Sequence, residues 1–300
     1  AIDFAHLGLR EIGYDTPRHV SKLRAYATLR LLLFSLRNFD GHERQFVGSK
    51  KSPVARDATL ILANLINAAS QSGNVDIAIY VSGMLRISLK NNEVAEAACA
   101  LCFFAVAVKT FFGDIDEAYR LGKIAISMSD DSKYLLINAT LTDGLINCWK
   151  EPLRTTSVRL TVAYRRGIDT DDVEVAITVG LHAASRLFFI GDPLSNVKML
   201  FAEISADAKR LNQTTLVSIE AVYCQAIENL QTGRANPWVL TGDVFDENSV
   251  VGLTANAKAH FYIIKAYLAL LFKAYDRSEE YIAQAGPNLP AVSGQPITHT

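Results

Sequence analysis

Two sulfurs three positions apart, Cys99 and Cys102, are residues whose type and spacing could do chemistry. On a helix this C-x-x-C spacing puts both side chains on one face, where zinc or a dithiol couple could form. Zinc needs two more ligands at short spacing, and none is nearby. A redox pair needs a strand–loop–helix setting and an exposed thiol, whereas this pair lies inside the uncharged apolar run Ala97–Val108. It reads as core packing. The stretch HERQF, residues 42–46, falls one ligand short of a zincin helix, because Phe46 stands where a second histidine is needed. The remaining histidines, His6, His19, His182, His260 and His299, are too scattered for ligation or a triad.

Other candidate chemistry is equally incomplete. VGSKKS, residues 47–52, holds glycine and lysine without the G-x-x-x-x-G-K-[ST] order that wraps phosphate, and reads as a solvated loop. Neither G-x-S-x-G nor a G-x-G-x-x-G after a strand occurs. Three carboxylate pairs stand three residues apart: Asp114 and Glu117, Asp171 and Glu174, Asp276 and Glu279. Two acids can cleave a sugar bond, but these sit at predicted helix starts. There the first can cap orphan N–H groups while the second reaches back, both favoured by the helix dipole. Asn138-Ala-Thr140 and Asn212-Gln-Thr214 have the form of glycosylation sequons, which matter only in a secreted chain. Pro287-Asn-Leu-Pro290 is a minimal P-x-x-P, read as the end of the final helix.

The elements that would position these residues are helices. Half of the 300 residues are hydrophobic and a fifth charged, as in a globular chain. Residues 1–150 carry 17 Lys and Arg against 15 Asp and Glu, and residues 151–300 carry 13 against 16. So even a charge balance demands no basic face and argues against nucleic acid as main partner. The four cysteines, in apolar surroundings, form no disulfide framework and fit a reducing, cytoplasmic compartment. No leader is recognisable, and the run Ala97–Val108 is too short to span a bilayer. The opening Ala1 and closing GQPITHT suggest a piece of a longer protein.

Turn signals interrupt long apolar stretches at Gly73, Gly113, Pro152, Gly191, Gly233 and Tyr275, with gaps of 40, 39, 39, 42 and 42 residues. Before each turn about twenty residues carry apolar side chains at i, i+3, i+4 and i+7, and after each a shorter helix is expected. Ser52-Pro53 supplies a cap followed by proline at the first helical position. Six helix pairs are thus predicted from residue 53 onward, preceded by one long helix near 18–37. Such pairs bury their apolar faces only by stacking on neighbours. Both an open tetratricopeptide-type superhelix and a closed α/α toroid satisfy that; small residues at Ala78, Gly83, Ala118 and Gly122 suit the first. Helix aromatics such as Phe104 and Phe188 read as core. Trp149 and Trp238 fall at helix–helix turns, as structural wedges or as anchors for a partner.

The stretch 146–194, with Trp149, Glu151, Pro152, Leu153, Tyr164, Gly167, Phe188, Phe189, Gly191 and Leu194, resembles the helical region of large multidomain signalling kinases. In that family a Ser/Thr-kinase-like domain and an AAA-type ATPase module precede the array, and GAF and sensor histidine-kinase domains often follow. The opening AHLGLREIGYDTP resembles the start of the same region, although Asp171-Asp172 stands where the family has Gly-Asp. The resemblance implies an interior, non-catalytic segment, and no catalytic residue carries over.

The expectation is therefore an all-α, tetratricopeptide-like solenoid with a period near 40 residues. Residues 1–52 would lead into the array, 53–290 would form it, and 291–300 would continue into a further domain. It would act as a scaffold or coupling segment binding protein, with no cofactor, metal, nucleic acid or membrane span. A free-standing adaptor and an α/α-toroid enzyme are the alternatives.

Overall fold

In the computed structural model, residues 2–41, 52–72, 74–91, 93–129, 134–170 and 172–292 are described. Gly73, Asp171, the HERQF stretch and most of VGSKKS lie outside them. The described chain is all-helical. It contains no strand, only an isolated antiparallel bridge between Thr241 and Asp246. It divides into two compact units, residues 1–150 and 151–300.

The first unit holds α1 (Ile2–Glu11), α2 (Lys22–Ser35), α3 (Pro53–Ser72), α4 (Ile77–Lys90), α5 (Val94–Phe112), α6 (Ile115–Ser127) and α7 (Leu135–Leu145), then a 3-10 turn at Asn147–Trp149. At its centre is α5, which packs against α4, α6 and α7. Its residues Ala97, Cys99, Leu101, Cys102, Phe104, Ala105 and Val108 are fully buried. At 19 residues this helix is long and apolar enough to cross a bilayer. Here, however, it is a core helix, and its buried Glu96 faces Arg56 at 3.8 Å and the Tyr134 hydroxyl at 3.4 Å.

The second unit holds α8 (Leu153–Gly167), α9 (Val173–Phe189), α10 (Leu194–Arg210), α11 (Thr214–Gln231), α12 (Ala255–Leu271) and α13 (Tyr275–Ala285). Two 3-10 helices, Glu247–Gly252 and Gly286–Val292, flank the last pair, the latter containing Pro290. The core gathers aromatics: Tyr223 stacks on Phe201 at 4.9 Å and takes Phe188 edge-on at 5.6 Å. Gly180 permits a close crossing, since a Cβ there would lie 3.0 Å from both Ile204 and Tyr164.

The turn chemistry follows the sequence. Gly113, Gly191 and Gly233 take left-handed φ values of 67°, 71° and 67° directly after α5, α9 and α11, where a side chain would be strained. Pro152 precedes α8 at its N-cap. Ser52 Oγ accepts from the Ala55 amide at 3.3 Å, and Asp114 Oδ1 accepts from the Glu117 amide at 3.0 Å. Tyr275, read as a turn, instead opens α13; the turn is at Lys273, left-handed at φ 61°. Asp276 then lies inside the first turn and caps nothing, and Asp172 before α9 makes no side-chain cap bond.

Two further expectations are corrected. One helix near 18–37 was expected before residue 53; among the described residues there are two, α1 of 10 residues and α2 of 14, which starts and ends inside the expected span. Between Gly233 and α12 there is no α-helix, only the 3-10 helix Glu247–Gly252. Pro237 has no N–H to give, and two side chains of α11 take the segment's backbone groups. Asn229 Nδ2 donates to the carbonyls of Pro237 at 2.9 Å and Val239 at 2.8 Å. Gln225 Oε1 accepts from the Val244 and Phe245 amides, both at 3.2 Å. Bonded this way, the chain has no need of a helical ladder.

Candidate interaction surface

Among the described residues, Cys99, Cys102, Cys224 and His260 are buried in the core. Cys99 and Cys102 are fully buried, and burial drives the Cys102 thiol well up, with Cys99 adding to it. Cys224 is pushed up to about 12 by burial and by Glu220. Burial holds His260 down at about 4, and burial with the Arg186 and His260 charges holds His182 down at about 3. Both imidazoles are neutral at pH 7, and His260 Nδ1 sits 3.0 Å from the Tyr223 hydroxyl, joining α11 to α12. The described residues contain no group of three His, Cys, Asp or Glu placed to hold a metal. The sequon residue Asn138 is fully buried and donates to Ser129 Oγ at 2.7 Å.

Trp149 is half-buried in its 3-10 turn, with Lys109 Nζ 5.2 Å above its ring and donating at 2.6 Å to the Leu145 carbonyl. Trp238 is half-buried in the irregular segment after α11. The two tryptophans and the turn residues are thus dispersed through both units and converge on no common site.

What stands out is a surface that sequence reading missed. Helix α2 carries two apolar stripes. Ala25, Leu29 and Leu32, with Leu36 just beyond the helix, face the core, while Leu23, Leu31 and Phe34 on the opposite side are 80 %, 68 % and 76 % exposed. Helix α1, which packs on α3, separately exposes Phe4 at 79 % and Leu7 at 51 %. A solitary surface leucine needs no explanation, but a run of large side chains at helical spacing does. The cations Lys22, Arg24 and Arg30 lie on the same helix, which has no acid. Arg30 stacks 4.3 Å over Phe112, whose ring meets Tyr26 edge-on at 4.6 Å. Beside Phe34 the surface dips into a groove of about 370 Å³ lined by Arg30, Leu33, Arg37, Asp114 and Glu117.

This surface is held firmly. The buried Asp76 carboxylate accepts from the His19 and Val20 amides at 2.9 and 2.8 Å, fixing the approach to α2. His6 of α1 bridges the Tyr80 hydroxyl at 3.0 Å and Thr16 Oγ1 at 3.1 Å. Arg120 of α6 donates to the carbonyls of Leu36 and Phe39 at 3.1 and 3.0 Å while paired with Glu117 at 2.6 Å. The double stripe was legible in the chain, since Leu23, Leu31 and Phe34 do not fit a one-faced helix. In the second unit, Leu271, Phe272, Tyr275 and Ile282 form a comparable exposed group on the last two helices.

Comparison with known proteins returned no matching family model, no matching curated protein and no matching solved structure.

Proposed function

We propose that the chain is a non-catalytic helical-repeat scaffold, a coupling segment of a larger cytoplasmic ATPase- or kinase-bearing signalling protein, whose exposed α2 face stacks on a further helix pair. The second apolar stripe of α2 carries this reading. In a stacked array each inner helix pair is covered on both sides, and only terminal pairs need a polar outer face. Repetition supports it too. Helices α3, α5, α7, α9, α11 and α12 begin at Pro53, Val94, Leu135, Val173, Thr214 and Ala255, in steps of 41, 41, 38, 41 and 41 residues. That regularity favours a tetratricopeptide-like solenoid, in which the irregular segment after α11 replaces one second-of-pair helix. Four free cysteines, three of them buried, suit a reducing compartment.

The test is the mass of the intact polypeptide in its native source, detected with an antibody to this segment, together with amide exchange along α2. A band several times heavier than 32.9 kDa, with α2 better protected there than in residues 1–300 alone, is the expected result. A band near 32.9 kDa, or identical exchange in both, overturns the reading in favour of a free-standing adaptor.

A further inference from the structure

Away from the α2 stripe, the first unit has a half-open surface hollow of about 280 Å³ lined by Tyr14, Arg86, Ile87, Lys90 and Asn91. Two of its five residues are cations and none is an acid. Arg86 and Lys90 stand one helical turn apart on α4, a like-charge spacing that costs stability. Neither makes an ion pair within the described chain. Tyr14, from the turn after α1, is fixed by backbone geometry. Gly13 closes α1 at φ 83°, and the Tyr14 amide donates back to the Leu9 carbonyl at 2.8 Å, which pins the phenol-bearing residue in place. Asn91 is similarly anchored, its Nδ2 donating to the Ile87 carbonyl at 2.8 Å.

We propose that this hollow binds a small phosphate monoester. The guanidinium of Arg86 offers a planar fork suited to two phosphate oxygens, and Lys90 supplies a second, point-like charge. The Tyr14 hydroxyl adds a neutral donor, and Ile87 gives an apolar patch for the ester's organic portion. A volume near 280 Å³ lies just below the usual range of ligand sites, about 300–1,000 Å³, which suits a compact metabolite rather than a dinucleotide. Binding would also relieve the repulsion between the two cations. The site is independent of the stacking role proposed above, because it uses no residue of α2.

The test is a titration of residues 1–300 with phenyl phosphate at constant ionic strength, following the backbone amide signals of Tyr14 and Asn91 by NMR. Inorganic phosphate and sodium chloride serve as comparison probes. Expected is saturable movement of both signals, with phenyl phosphate binding more tightly than inorganic phosphate. An R86Q/K90Q variant should bind about tenfold or more weakly. That variant removes a repulsive pair on an exposed helix face and should fold. Arg24→Gln, on α2, should leave binding unchanged and serves as the control for general charge. Movement that is linear in all three salts, or equal affinity in R86Q/K90Q, overturns the proposal. Equal binding of phenyl phosphate and inorganic phosphate overturns the monoester assignment and leaves a simple anion site.

Discussion

Acid should weaken the second unit through His260. Its imidazole is 2 % exposed, is held neutral by burial at a pKa of about 4, and meets the Tyr223 hydroxyl at 3.0 Å. In the unfolded chain the same group titrates at about 6.5. The sign follows from proton counts. Between the two values the unfolded state binds a proton that the folded state refuses, so the contribution is fully present above pH 6.5 and shrinks as pH falls toward 4. Working that difference through between pH 7 and pH 5 gives a loss of about 2 kcal/mol from this one residue. The assay is urea unfolding at both pH values, read by fluorescence in a Trp149→Phe background, so that Trp238 reports the second unit alone. His260→Asn keeps a polar group near the Tyr223 hydroxyl but cannot be protonated. It should cost stability at pH 7, yet lose about 2 kcal/mol less than the parent on going to pH 5. Equal losses in the two proteins would refute the argument, because they would mean that His260 accepts its proton without unfolding.

Three further outcomes are expected. Asp76→Ala strands the His19 and Val20 amides that the carboxylate now receives, so it should cost about 1–3 kcal/mol and speed amide exchange in α2, while α11 exchanges as before. Gly242→Ala would place a Cβ 2.5 Å from Gln225 Nε2; chemical denaturation should show a loss of about 1–3 kcal/mol in the second unit. Lys273→Gly at φ 61° relieves a left-handed side chain and should raise that unit's melting temperature, with about 1 kcal/mol gained.

The helical architecture was legible because periodicity and punctuation agreed. Apolar spacing marked α3, α5 and α12, and glycine marked the left-handed turns after α5, α9 and α11. Local signals failed where a non-local partner decided the outcome. Nothing near Gly233 says that Gln225 and Asn229, buried on the preceding helix, will seize the backbone of the segment that follows. The turn at Lys273 was misplaced by two residues because lysine carries no left-handed preference. Helix α1 went unread because its ten residues fall short of the window over which helical spacing declares itself, although its apolar side chains are segregated. The exposed side of α2 could have been found from Leu23, Leu31 and Phe34. Its meaning required knowing that Leu29 and Leu32 already fill the buried side.

The way α11 holds the segment after it has a mechanical consequence. Residues 237–245 are held in part through the neutral amide groups of Gln225 and Asn229, which neither gain nor lose charge across the pH range where His260 titrates. Charged groups hold them in part too, Glu247 accepting from the Leu240 amide at 3.0 Å and Arg234 donating to the Thr241 carbonyl at 2.6 Å. The segment is therefore tied to α11 by bonds indifferent to acid and to α12 by the Glu247–Lys265 ion pair and the Phe245–Phe261 ring contact, while the direct contact between the two helices includes an uncharged imidazole. On acidification the second unit should weaken first along the α11–α12 seam, where His260 sits, with the segment still bonded to α11 through Gln225 and Asn229. Amides of Val244 and Phe245 should then remain protected as long as α11 itself does.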